Sequence, residues 1–168
     1  ELTDLTQVME KLRSETFVDK SKMSLFGASQ GGVVASLYAA AYPDHVHKLM
    51  LIFPAFVLFD DAKATYHELG SPDFDQLPDS LTHHNTTLGK IYLIDALNID
   101  IQAEQAKITA PTLIIHGTDD AVVPYQYAVE ASQTIPNAEL VTVEGGEHRI
   151  DERFAITAAP AIQKFLKE

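Results

Sequence analysis

Cysteine is absent from this chain. That excludes disulfides, thiolate zinc sites and a cysteine nucleophile, while leaving the compartment open. Positive charge is scarce: 12 Lys and Arg stand against 24 Asp and Glu, for a formal net charge of −12. Nucleic acid and anionic membranes would repel such a surface, so neither is expected as a partner, and the acidity reads as a solubility feature. No apolar run approaches the roughly 20 residues needed to span a bilayer. The opening Glu1-Leu2-Thr3-Asp4 has neither an initiator methionine nor a basic-then-apolar leader. The chain therefore reads as processed or as a fragment whose targeting information lies elsewhere, and a cytoplasmic location is the expectation. There is no internal repeat and no low-complexity tract.

What is present is a globular composition, 168 residues of which 46% are hydrophobic, enough for one domain with a real core. Leu5, Val8, Met9 and Leu12 recur at helical spacing, predicting an amphipathic helix over residues 4–14. Met23 to Phe26 reads as a short buried strand, Gln30 to Tyr42 as a tightly packed helix stopped by Pro43, and Lys48 to Phe53 as a second buried strand ended by Pro54. Composition then shifts. Asp60, Asp61, Asp73, Asp75 and Asp79 crowd a stretch with little periodicity until two short helices at Ile91–Leu97 and Ile101–Ala106. It is too long for an ordinary connection and reads as an inserted subdomain. Regularity resumes with a strand at Thr112–Ile115, a helix at Tyr125–Thr134, a strand at Leu140–Val143 and a closing helix through Ile162, Phe165 and Leu166, whose start Pro160 obscures. The organisation expected is a core over 1–53, an insertion over 54–109 and a return to the core over 110–168. Strands alternating with helices give an α/β fold with a parallel sheet covered on both faces.

The chemistry centres on GASQGG, residues 27–32, a G-x-S-x-G match between a strand and a small-residue helix. Glycines there permit a sharp turn that pushes the serine outward as a nucleophile, and Ala28 and Gly31 are small, as a crowded elbow demands. Serine needs a base, and the base an orienting acid. HGTDDAVVP, residues 116–124, offers Asp119 and Asp120 just past a strand, and spacing alone does not separate these neighbours. His148 follows the flexible Glu144-Gly145-Gly146-Glu147 turn after the last strand. Each candidate sits just past a parallel strand, where open α/β sheets place their sites. Among the other histidines, His116 reads as structural and buried at a strand end. His83-His84 lacks a nearby third ligand and reads as solvated, so no metal site is expected. His45 and His47, in a helix-to-strand connection, carry no distinctive signal.

Ser, then acid, then His is the order of the α/β-hydrolases. GASQGG, HGTDDAVVP and GGEH together resemble that superfamily, and the intervals between them narrow the likeness. TLGKIYLIDAL, residues 87–97, resembles the insertion of bacterial cinnamoyl (feruloyl) esterases. The resemblance selects Asp120 over Asp119 as the acid. It implies a Ser29–His148–Asp120 triad hydrolysing hydroxycinnamoyl esters through an acyl-enzyme, with a small-molecule ester as partner and no metal or cofactor. The N–H of Gln30 would be one oxyanion donor. In that family the insertion roofs the site and hydrogen-bonds the ring hydroxyls, and by position Asp61 and Tyr92 are the candidates for substrate binding.

The same resemblance implies that this chain corresponds to the carboxy-terminal two-thirds of a family member, without the strands ahead of its opening helix and the loop that carries the second oxyanion donor. A sheet so shortened exposes an edge beside Met23–Phe26, so pairing through that edge, or a homo-oligomer, is the expected association. The competing readings are a general short-chain acyl esterase, a serine peptidase of the same fold, and an inactive fragment that acts as an association module.

Overall fold

In the computed structural model, residues 1–83 and 86–167 are described; His84 of the histidine pair lies outside them. The apolar runs free of interior charge become the strands of one sheet. Strand β1 (Ser24–Ala28), β2 (Lys48–Ile52), β5 (Thr112–Gly117) and β6 (Ala138–Val143) lie in the order β1-β2-β5-β6. All three pairings are parallel, with Leu51 opposite Gly27 and Ile114, and Gly117 opposite Val143. Every residue of β2 and β5 is buried, as expected for central strands covered on both faces.

Helices α1 (Leu2–Ser14), α2 (Gln30–Ala41), α6 (Gln126–Thr134) and α7 (Glu152–Lys167) flank this sheet, and α5 (Ile101–Gln105) leads back into it. On one face Met50, Ile52, Leu113, Ile115 and Val143 pack with Phe154, Ala158 and Phe165 of α7. Alternate residues Leu49, Leu51 and Ile114 point to the opposite face and are no more than 1% exposed. Each such side chain contributes roughly 1.5–3 kcal/mol on leaving water. Pro160 lies inside α7 instead of marking its start. A helix-interior proline costs about 3 kcal/mol, and the stripe Phe154, Ala158, Ile162 and Phe165 buried on the sheet outweighs it.

The chain divides into two compact units, residues 1–56 with 102–168, and residues 57–101. The polar stretch read at 54–109 thus contributes 57–101 to its own unit. At its near end, Ala55 donates to the Ser29 carbonyl (3.0 Å) and is held in the first unit. The second unit contains α3 (Leu58–Glu68), a hairpin of β3 (Ser80–His83) and β4 (Thr86–Gly89), and α4 (Lys90–Asn98). Helices α3 and α4 pack on each other. The Tyr66 ring meets Phe74 edge-on at 5.8 Å, and its hydroxyl donates to the Pro72 carbonyl (2.6 Å). Neither α3 nor the hairpin is legible in the sequence.

Candidate active site

Gly27, at the penultimate position of β1, lies so close to α2 that a Cβ there would overlap the Gly31 carbonyl. Only a glycine lets the strand turn this tightly into the helix. At Gly32 a Cβ would lie 2.9 Å from the Cβ of Pro54, whereas at Gly31 it would meet nothing within 4 Å. The crowding of the elbow therefore falls on Gly27 and Gly32, not on Gly31. Between strand and helix, Ser29 takes φ 51° and ψ −126°, a conformation costing of order 1–3 kcal/mol in a non-glycine residue. Three backbone bonds hold it there: Ser29 N–H to the Ile52 carbonyl (3.0 Å), and Gly32 N–H (2.9 Å) and Ala55 N–H (3.0 Å) to the Ser29 carbonyl. Gln30 is the first residue of α2, so its N–H is one of those that a helix start leaves without an intrahelical acceptor. Its side-chain amide donates to the Glu1 carboxylate at 2.9 Å.

The other two candidates hang from adjacent strands. Beyond β5, the Asp120 side chain is fully buried, and its Oδ1 accepts from the backbone N–H groups of Val122 (2.9 Å) and Val123 (2.8 Å). Beyond β6, the turn carrying His148 is bonded to the loop carrying Asp120. Gly145 N–H donates to Thr118 Oγ1 (2.8 Å), and Asp119 N–H to the Gly146 carbonyl (2.9 Å). Gly117 and Gly146 touch backbone to backbone, where a Cβ on Gly117 would overlap the Gly146 carbonyl.

These constraints bring three side chains into one line. His148 Nδ1 lies 2.7 Å from Asp120 Oδ2, and His148 Nε2 lies 3.0 Å from Ser29 Oγ. With Nδ1–H donating to the carboxylate, Nε2 is the basic nitrogen and faces the hydroxyl. The arrangement can move the Ser29 proton onto the imidazole and hold the resulting imidazolium against a carboxylate. Asp120, not Asp119, meets His148; Asp119 is exposed and accepts from the Thr118 hydroxyl (3.2 Å). The Phe53 ring, whose residue also has a positive φ of 35°, packs on the His148 ring with centroids 4.4 Å apart. The His148 side chain is 17% exposed, and a depression of about 510 Å³ lined by Asp119, Ala121, Val122, Glu147, His148 and Arg149 opens beside it.

Asp61 lies on α3 and Tyr92 on α4, both half-buried and both within the 57–101 unit. Among the described residues no group of three or more His, Asp or Glu could hold a metal ion, and no helix is long and apolar enough to cross a membrane.

His116, read from the sequence as structural and buried at a strand end, is buried there; its contact with Asp120 is what the sequence did not show. His116, the penultimate residue of β5, has no exposed surface, and its Nε2 lies 2.9 Å from the Val123 carbonyl and 3.2 Å from Asp120 Oδ2. Burial pushes the pKa of its imidazole below the ordinary value, against smaller opposing effects of the Val123 carbonyl and Asp120. The signal was available: an imidazole inside a buried, mainly apolar strand must find a partner.

A helix-flanked parallel sheet, with the serine at a strand-to-helix turn and the acid and histidine beyond later strands, defines an α/β-hydrolase. The prolyl oligopeptidase family matches residues 1–168, and the chain belongs to it. Solved structures are similar to this chain as well. Est1E from Butyrivibrio proteoclasticus superposes with a TM-score of 0.84 at 30% identity, covering 99% of this chain and 70% of that one. The same protein with ferulic acid bound gives the same score and identity over 66% of its length. The serine hydrolase BPHL of Mus musculus is 26% identical over 162 residues, 87% of this chain and 55% of that protein. RutD of Stutzerimonas stutzeri is 39% identical over 70 residues, 41% of this chain and 26% of that protein. The chain thus spans between about a quarter and about three-fifths of the length of these curated relatives.

Proposed function

We propose that this chain carries the reacting centre of a serine carboxylic-ester hydrolase, with Ser29 as nucleophile, His148 as general base and acid, and Asp120 as the orienting carboxylate. The observation that carries the reading is the unbroken line from Ser29 Oγ to His148 Nε2 (3.0 Å) and from His148 Nδ1 to Asp120 Oδ2 (2.7 Å). As Ser29 Oγ attacks the ester carbonyl carbon, its proton passes to His148 Nε2, and Asp120 stabilises the imidazolium. The Gln30 N–H donates to the developing oxyanion; one such donor is typically worth about 10²–10³ in turnover. Collapse breaks the ester C–O bond, and the alcohol leaves with the proton from His148. Water, deprotonated by His148, then hydrolyses the acyl-enzyme, releasing the acid and restoring Ser29.

The substrate class proposed is hydroxycinnamoyl esters. The likeness to Est1E, a protein solved with ferulic acid bound, supports it. In this reading Asp61 and Tyr92 hydrogen-bond the ring hydroxyls. A second reading, a serine peptidase, is favoured by the whole-chain match to the prolyl oligopeptidase family.

Fluorophosphonate labelling and hydrolysis of methyl ferulate, a butyrate ester and an acyl-Gly-Pro anilide test these readings together. Labelling is expected in the native protein and lost in Ser29→Ala. Methyl ferulate is expected to be preferred, with Tyr92→Phe and Asp61→Ala each lowering that preference about tenfold, as for loss of one good hydrogen bond. Absence of labelling in folded protein would overturn the triad. A butyrate preference indifferent to both substitutions would overturn the cinnamoyl substrate, and anilide cleavage would favour the peptidase.

A further inference from the structure

Asp120 receives two imidazoles, and the reaction scheme uses only one. His148 Nδ1 and His116 Nε2 both approach the same oxygen, Oδ2, at 2.7 and 3.2 Å. His116 Nε2 also lies 2.9 Å from the Val123 carbonyl. A carbonyl only accepts, so Nε2 carries the hydrogen and shares it between Val123 O and Asp120 Oδ2. Nδ1 is then the unprotonated nitrogen. It is buried and has no hydrogen-bond partner among the described residues. A proton added there would be a buried N–H without an acceptor, which is costly to leave unmade.

From this geometry we infer that His116 is a positioning residue for the site, a permanently neutral imidazole that braces the Asp120 carboxylate through Nε2–H. The inference rests on the triad reading above. Its neutrality matters as much as its bond. A cation at His116 would compete with the His148 imidazolium for the charge of Asp120, whereas a neutral donor fixes the carboxylate and leaves that charge to His148. The groups facing His116 agree with this assignment: Asp120 and Val123 from its own loop, His148 from the neighbouring turn, and the Tyr125 ring edge-on at 6.0 Å. Burial outweighs the pull of Asp120 and lowers the pKa of His116. The Tyr125 hydroxyl is engaged with Thr142 Oγ1 at 2.6 Å.

The test combines two variants with a spectroscopic readout on the intact protein. His116→Phe fills the space and removes the donor, whereas His116→Gln keeps an N–H of similar reach. The phenylalanine variant is expected to lose about tenfold in kcat/KM, the scale of one charge-assisted hydrogen bond. Its carboxylate, neutralised less, holds the His148 proton more tightly, so the acidic limb of the kcat/KM profile moves to higher pH. The glutamine variant is expected to restore both. ¹⁵N chemical shifts of the native protein should show the Nε2–H tautomer of His116 unchanged from pH 5 to 9.

A phenylalanine variant with native kcat/KM and an unmoved acidic limb would overturn the inference, as would a His116 that takes up a proton between pH 5 and 9. A phenylalanine variant that does not fold leaves the decision to the glutamine variant and the shifts. A native protein that neither labels at Ser29 nor hydrolyses esters would instead overturn the triad reading, and the tautomer measurement would still decide the state of His116.

Discussion

Four N–H groups converge on the carboxylate of Asp120: Val122 and Val123 on Oδ1, His148 and His116 on Oδ2. Asparagine at this position would offer one acceptor oxygen and one NH₂ group, so in either orientation it sets donors against donors. If its NH₂ faced His148, the imidazole would present a lone pair at Nδ1 and a hydrogen at Nε2, the wrong tautomer for taking the Ser29 proton. Asp120→Asn is therefore expected to lower kcat by about 10⁴-fold and to destabilise the fold by about 1–3 kcal/mol, read from ester kinetics and urea unfolding. Asp119→Asn, at an exposed side chain bonded to Thr118, should leave kcat at the native level. Two adjacent aspartates cannot be told apart by composition or period. What distinguishes them is the turn Asp120–Val123, in which two backbone amides close on one side chain. By contrast the strand-to-helix turn at Ser29 was legible, because the glycines it needs are themselves in the sequence.

At the scale of elements, legibility followed the amount of buried apolar surface. KLMLI and TLIIHG could hardly be anything but buried strands, and both are buried along their whole length. Helix α3, LFDDAKATYHE, escaped notice because Leu58, Phe59 and Ala62 form its apolar side while Asp60, Asp61 and Lys63 interrupt them. The β3–β4 hairpin is short, and its residues SLTH and TTLG alternate too weakly to announce a strand. The glycines test the packing of strands against their following turns. Gly117→Ala forces a methyl into the Gly146 carbonyl and should cost about 1–3 kcal/mol, the range for overpacking. It should also slow fluorophosphonate labelling, because the displaced turn carries His148. Gly31→Ala, with open space around it, should leave stability unchanged or raise it by up to about 1 kcal/mol, as alanine replaces glycine in a helix. Urea midpoints and labelling rates of the two variants check the contrast.

At the scale of the molecule, acid reaches the fold in two stages. His116 has an ordinary value of 6.5, lowered in the folded state chiefly by burial. Below pH 6.5 the unfolded chain binds a proton that the folded one refuses, so stability declines from there downward. Asp19, Asp79 and Asp151 are held below the ordinary 3.8, chiefly by the Ser21 hydroxyl, the Lys90 ammonium and the Phe154 N–H respectively. Their stabilisation is complete above 3.8 and is lost as the pH falls through their lower folded values. A plot of Tm against pH should therefore be level above about 7, bend downward below about 6.5, and steepen below about 4; His116→Gln should erase the first bend and keep the second. The two-unit organisation was legible only in outline, since the shift to polar, aspartate-rich sequence marks the insertion while its ends depend on which residues the sheet retains. The register of the sheet has one more consequence. With Gly117 paired to Val143, the reach from strand to Asp120 and from strand to His148 is set by the lengths of two short segments that are also bonded to each other. One added residue in either would put Asp120 and His148 out of step, whereas the run from 57 to 101 forms a compact unit of its own. Insertions and deletions should therefore be tolerated in the longest connection of this chain and rejected between Gly117 and Asp120 and between Val143 and His148.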